Sequence, residues 1–358
     1  MTIETATQAV NEEKLNAFLG KVIEDFGAAL SSGLVYIGQK LGLYKAMAGA
    51  GPLTSEELAR RTGTVERYVR EWLINQAAGG YVAYDPATQH YHLPPEQAVA
   101  LTDEASPFFV GGGFYVIKAM THAVGRIGEA FRSGGGMLWR EHDPDLFLGT
   151  ERFFRPAYAA HLVAEWIPAL SGVDAKLRAG GLVADVGCGH GASTIIMATA
   201  YPKSRVVGID NHEASVQRAR KAAAEAGFGD RVQFEVADAN RLPGSGYDLI
   251  AFFDCLHDMG DPVGAARRAG EVLAPDGSVL LVEPMAGHSV EENLNPLGRT
   301  FSAASTLCCT ANALAQGGQA LGTVATDAAL REVFTAGGFT HFRRAAQTPF
   351  NRVFEARR

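Results

Sequence analysis

At 358 residues the chain exceeds a typical single domain, so two structural units and a sizeable buried core are expected. Apolar residues make up 47% and charged residues 20%, which excludes a disordered or fibrous chain and fits an ordinary globular one. A formal net charge of −7 argues against the broad basic surface that nucleic-acid binding requires.

Residues 1–14 carry Glu4, Glu12 and Glu13 and lack a basic segment followed by an apolar one, so no secretory leader is expected. The apolar stretch 27–51 is broken by Gln39, Lys40 and Lys45 and falls short of the roughly 18 uninterrupted residues of a membrane span. Both features point to the cytoplasm. From 12 to 30, Leu15, Phe18, Leu19, Val22, Ile23, Phe26 and Leu30 recur every three or four positions, predicting an amphipathic helix with one face in need of a partner. Helices are predicted over 35–48, over 55–62 with Thr54 as N-cap, and over 65–78, ending at Gly79 and Gly80. Residues 81–84 and 91–93, joined by the turn 85–88, predict a hairpin. Helix, turn, helix, hairpin is the winged-helix order. Between Pro52 and Pro95 four arginines face five acids. The third of these helices also carries Val65, Tyr68, Val69, Trp72, Leu73 and Ile74, so the module suits dimerisation or domain packing better than DNA.

Residues 106–180 read as mostly helical, with breaks expected at Gly111–Gly112–Gly113 and Gly134–Gly135–Gly136. These glycines are placed to flank a mobile cover. Phe154 and Tyr158 are candidates for a substrate wall, with core packing as the alternative. The expected organisation is a helical winged-helix domain at 1–105, a helical linker and cover at 106–180, and a ligand-binding domain at 181–358.

From Gly181 the texture changes. Strands are predicted at 182–186, 205–210, 232–236, 247–253 and 278–283 with helices between, implying an α/β fold with a parallel sheet covered on both faces. Residues 339–344 and 350–356 predict a final antiparallel hairpin. The run Val183 to Ala192 takes an apolar strand directly into Gly187, Cys188, Gly189 and Gly191, where bare backbone can press against a ligand at the strand's carboxyl end. Dinucleotide folds share that glycine pattern. Three acids separate the cases. Asp185 precedes the first glycine by two residues, where a carboxylate can take up the ammonium of an amino acid. Asp210 closes the second strand and can accept ribose hydroxyls, and Asp238 follows the third and can accept from an adenine amino group. Each alone is equally a helix cap. Together they favour S-adenosylmethionine (SAM) over NAD.

These motifs resemble the class I SAM-dependent methyltransferases, and among them the small-molecule O-methyltransferases with an N-terminal winged-helix dimerisation domain. The resemblance is strong from about Leu182 to Arg357 and looser before it. It implies a Rossmann-like sheet ending in an antiparallel hairpin, a homodimer, SAM as cofactor with S-adenosylhomocysteine (SAH) as product, and a small-molecule acceptor. Cofactor contacts are expected from Asp185, Gly187, Cys188, Gly189, Gly191, Asp210, Asn211, Asp238, Ala239 and Asp254. The segment 253–261 resembles the stretch where those enzymes keep a catalytic base, which places His257 in that role, with a structural histidine as the alternative. Met259 departs from the family's aromatic there. Glu283 is placed to orient His257 or the acceptor, or serves as a plain strand-end carboxylate. In the family the insertion 286–325 encloses the acceptor, which marks Phe301 and Cys309 as substrate candidates. The four cysteines, Cys188, Cys255, Cys308 and Cys309, form no CxxC pair and lie near no His at zinc-finger spacing, so no metal is expected. A SAM-binding winged-helix regulator and a SAM-binding relative that transfers no methyl remain alternatives.

Overall fold

The structure, a computed structural model, describes residues 10–358. Of the segment 1–14 over which no leader is expected, residues 1–9 lie outside the described residues. The chain divides into two compact units. One holds the described residues up to Asp103 together with Phe109–Phe114, and the other Glu104–Phe108 with Tyr115–Arg358.

The first unit comprises α1 (Glu12–Lys40), α2 (Leu43–Met47), α3 (Ser55–Thr62), α4 (Glu66–Ala78), β1 (Ala83–Asp85), β2 (His90–His92) and α5 (Pro95–Thr102). The helix expected over 35–48 is divided, because α1 runs through Lys40 and Gly42, at φ +70°, then starts α2. Thr54 caps α3 in a full capping box with Glu57. The strands pair antiparallel, and Leu53 bridges to Tyr91 to widen the wing. Tyr44, Leu58, Val69, Trp72 and Leu73 fill the core beneath them. Gly38 is required there, since a Cβ would lie 2.7 Å from the Trp72 ring. The N-terminal two-thirds of α1 does not join this core. Leu15, Phe18, Leu19, Ile23, Phe26 and Leu30 stay between 43 and 76% exposed.

The second unit runs from α6 (Gly111–Ser133), whose first four residues belong to the first unit, through α7 (Asp145–His161) and α8 (Val173–Ala179) to a sheet built from β3 (Leu182–Val186), β4 (Arg205–Asp210), β5 (Val232–Val236), β6 (Tyr247–Phe253), β7 (Leu273–Pro284), β8 (His341–Gln347) and β9 (Asn351–Arg357). The intervening helices are α9 (Ala192–Ala200), α10 (Glu213–Glu225), α11 (Pro262–Val272), α12 (Pro296–Ala304), α13 (Thr310–Ala315) and α14 (Asp327–Ala336). Glycines 111–113, expected as a break, instead form the first turn of α6. A Cβ at Gly111 would sit 2.7 Å from Gln39 and Phe109, so close packing rather than helix termination selects glycine there. Gly134, at φ +70°, does end the helix.

The sheet order is β5-β4-β3-β6-β7-β9-β8, with β9 and β8 antiparallel and the other five strands parallel. Successive residues of each central strand point to opposite faces. On β6, Leu249, Ala251 and Phe253 join one core, and Ile250 and Phe252 the other. Burial on both faces explains why these strands read as unbroken apolar runs. The reversal of strand order at β3 leaves a crevice at the carboxyl ends of β3, β4, β5 and β6, the expected ligand position in an open α/β sheet. Among the described residues, no helix is long and apolar enough to cross a membrane.

Candidate active site

The loop after β3 turns sharply because Gly187 and Gly189 adopt φ +74° and +52°. At Gly187 a Cβ would lie 2.7 Å from Cys255 Sγ, so the turn packs against the end of β6. The amides of Gly187 and Cys188 donate to Ile209 O at 2.8 and 3.1 Å. Asp210 completes the brace, with Oδ2 accepting from Gly189 N at 2.9 Å and Oδ1 from His212 N at 2.8 Å. Burial raises its pKa. Each carboxylate oxygen retains acceptor capacity beyond these backbone bonds.

A cavity of about 570 Å³ opens over this turn. Of the site residues expected from sequence, Gly187, Cys188, Gly189, Asp210, Asn211, Asp238, Ala239, Asp254, Phe154 and Tyr158 line it. Asp238 is exposed and also caps the short turn Ala239–Arg241 through Asn240 N at 3.2 Å, so capping and cavity lining coexist. Six carboxyl groups contribute to the wall, from Glu151, Asp210, Asp238, Asp254, Asp258 and Asp261, and no Lys or Arg among the described residues does.

Six expected residues lie elsewhere. Asp185 is fully buried behind the turn, where its Oδ2 accepts from Ser193 Oγ at 2.6 Å and Thr194 Oγ1 at 2.5 Å. Burial raises its pKa to about 6. Gly191, at φ +84°, starts α9 against the Phe234 ring. His257 was expected to face the ligand, but the turn Leu256–Asp258 carries its ring inward to 3% exposure, where Nδ1 lies 2.5 Å from Glu283 Oε2. Burial disfavours the imidazolium, yet the Glu283 carboxylate and the Cys309 thiol beside the ring outweigh it and raise the His257 pKa well above the ordinary value. Asp258, not His257, reaches the wall, with a pKa raised by burial to about 7. Phe301 and Cys309 are buried and line no part of the cavity. The insertion contributes instead through Asn312, Gln316 and Gly317.

Other wall residues were missed. α7 adds Phe147, Thr150 and Glu151 to the face that carries the expected Phe154 and Tyr158, all at helical spacing. Burial opposes the Glu151 charge, but His190 Nδ1 at 2.9 Å and Arg218 nearby keep its pKa below the ordinary value. Asn312 links the turn at Trp139–Glu141 to the turn after β6, accepting from Trp139 N at 2.8 Å and donating to Asp258 O at 2.9 Å. The α7 aromatic periodicity was visible in the sequence; the Glu151–His190 and Asn312 contacts left no local signal.

Comparison with known proteins agrees with this geometry. Residues 177–337 match the family model of a methyltransferase domain, and residues 28–103 that of an Rv2258c-like winged HTH domain. The 27-O-demethylrifamycin SV methyltransferase of Amycolatopsis mediterranei is 38% identical over 139 residues, which are 37% of this chain and 51% of that protein. A trans-aconitate 2-methyltransferase of Paracidovorax citrulli is 35% identical over 108 residues, 30% of this chain and 40% of its own. The chain thus spans about half the length, or less, of these curated relatives. Among solved structures, mitomycin 7-O-methyltransferase superposes with a TM-score of 0.74 at 17% identity, covering 97% of this chain and 100% of that one. Human N-acetylserotonin methyltransferase, solved in complex with SAM, gives 0.70 at 18%, covering 99% of each. At such identities the likeness establishes the fold. Sheet order, glycine turn and the two domain matches together identify the chain as a protein of the class I methyltransferase fold with an N-terminal winged helix-turn-helix domain.

Proposed function

We propose that the protein is a SAM-dependent methyltransferase acting on an O, N or S nucleophile of a small organic molecule. The observation that carries this reading is the cavity over a bare glycine turn, lined by six carboxyl groups and by no Lys or Arg among the described residues. SAM bears a sulfonium and an ammonium against a single carboxylate, so a wall of carboxyl groups complements it. Asp210 and Asn211 are placed for the ribose, Asp238 and Ala239 for the adenine, and Gly187 to Gly189 for close backbone approach. When bound, SAM supplies an activated methyl group to a nucleophile held in line with it.

The chain's own residues then exclude water and align the acceptor, with Phe154, Tyr158, Phe147 and Trp139 as the apolar part of the wall. The same electrostatics bear on the acceptor. A trans-aconitate anion, the substrate named for one relative, would meet carboxylates and no Lys or Arg among the described residues, so the acceptor is uncharged or cationic at its reacting end. His257 remains the candidate general base, with Glu283 orienting it. Its raised pKa makes it a proton holder in this state, so the base role requires Nε2 to release its proton to solvent before the acceptor enters, while Nδ1 keeps its proton toward the Glu283 carboxylate. The cytoplasm and a homodimer formed through α1 belong to the same proposal.

The test is transfer of an isotopically labelled methyl group from SAM to a panel of phenols, amines and thiols, with SAH measured as co-product. Labelled product with stoichiometric SAH supports the reading. SAM that binds and stays intact across the panel supports the non-methylating alternative.

A further inference from the structure

Of the six carboxyl groups in the cavity wall, five have partners in the fold. Glu151 is paired with His190 and Arg218, Asp210 braces the glycine turn, and Asp238 caps the turn Ala239–Arg241. Asp254 accepts from Tyr158 Oη at 2.8 Å and from Asn351 Nδ2 at 2.9 Å, and Asp261 caps α11 through Gly264 N at 2.7 Å. Asp258 differs. Among the described residues its carboxyl accepts only from its own backbone amide, yet it lines the cavity. Burial has raised its pKa to about 7, and a cationic partner would return it to the ionised form. Asn312 donates to Asp258 O and accepts from Trp139 N, which brings the Trp139 indole to the same end of the cavity. The Phe147 ring of α7 lies 5.5 Å from that indole, centroid to centroid. This end of the wall is therefore both aromatic and acidic.

The charge that moves during methyl transfer decides which acceptor suits such a wall. A phenolate or carboxylate must first be brought among carboxyl groups, at a cost, and its attack on the sulfonium cancels both charges. A neutral amine nitrogen instead forms the N–C bond while the C–S electron pair goes to sulfur, leaving SAH, so the positive charge passes from sulfur to nitrogen. A carboxylate beside that nitrogen favours the charge as it develops and so lowers the barrier, not only the binding energy. The faces of Trp139 and Phe147 add cation–π attraction to the same charge. An amine that enters as its ammonium ion gives up its proton to the general base, for which His257 is the candidate, before it attacks.

We propose that the methyl acceptor is an amine, held by Asp258 and the faces of Trp139 and Phe147. This rests on the reading of the cavity as a SAM site. The test uses phenethylamine, tryptamine and hexylamine, each matched by the alcohol and the carboxylate of the same skeleton. In calorimetric titration of the SAH-saturated full chain, amines should bind at least about 10-fold more tightly than their alcohols, the worth of a charge-assisted hydrogen bond. The carboxylates should not bind. Labelled SAM should give N-methylated amines with stoichiometric SAH. Asp258→Asn should retain SAH uptake and bind amine and alcohol alike. Amines that bind no more tightly than their alcohols, methyl transfer to alcohols or carboxylates but not to amines, or an amine preference that Asp258→Asn leaves unchanged, overturns the proposal while SAH uptake still supports the SAM site. A wild type that takes up no SAH overturns the reading of the cavity and the proposal with it.

Discussion

Burial raises the pKa of Asp254 from its ordinary value of 3.8 to about 7, helped by the nearby Glu283 carboxylate and opposed by Tyr158, His257 and Asn351. The native state therefore holds this proton more tightly than the unfolded chain does. The stability linked to it is fully present below pH 3.8 and is lost as pH rises through about 7. Asp254→Asn removes that dependence. The ligand-free variant should have a higher thermal midpoint relative to wild type at pH 8 than at pH 5, by differential scanning fluorimetry; an offset that does not change with pH contradicts the raised pKa. His257 is held by Glu283 on one side and by the Cys309 thiol on the other. His257→Ala should keep SAH affinity and lose on the order of 10²- to 10⁴-fold in kcat, the usual worth of a general base. An unchanged kcat with lowered thermal stability would make it a structural residue. At this scale the sequence showed which acids stand at strand ends, but not which of them open to the ligand. Asp185 and Asp254 both follow apolar strands, and only the packing of Ser193 and Thr194 over one and of Tyr158 and Asn351 beside the other separates them.

Among the elements, those with local causes were the most legible. β3, β4 and β6 fall on the expected bounds because their mostly buried runs stop at a glycine or an acid, and α3 does so because Thr54 and Glu57 close a capping box. β7 starts at Leu273, earlier than expected, because Leu273 already pairs with Tyr247, and Pro275, Asp276 and Gly277, which carry the chemistry of a turn, form an irregularity before Ser278 resumes the pairing opposite Leu249. The α7 wall could not be placed against the strand tips from sequence, since His190 lies 39 residues from Glu151, and Asn312 lies 173 from Trp139. For the glycine turn, Gly187→Ala combines a left-handed φ with a Cβ 2.7 Å from Cys255 Sγ. It should lower stability by about 1–2 kcal/mol in urea unfolding and weaken SAH binding; wild-type values would contradict the tight turn. On α1, Ile23 and Phe26 are 66 and 60% exposed within a continuous apolar face. A second copy of α1 would bury that face, so the wild type should be a dimer by light scattering and Ile23→Glu with Phe26→Glu a monomer. A monomeric wild type removes the proposed dimer.

At the scale of the whole molecule, charge separates the enzyme reading from the regulator reading. The net charge is −7, and on α4 Arg67 and Arg70 are already paired with Glu71 and Glu66. Those arginines are thus partly neutralised before any phosphate arrives, and the exposed Val65 and Tyr68 beside them are apolar or aromatic. The acidic cavity of the second unit, by contrast, asks for a cationic ligand. The most direct test is calorimetric titration of the purified chain with SAH, NAD and a generic DNA duplex at low salt. The account predicts saturable uptake of one SAH per chain, weakened at least about 10-fold by Asp210→Ala through loss of the turn brace and ribose acceptor, with no heat from NAD or DNA. No uptake of SAH, or saturable uptake of NAD in its place, would contradict it.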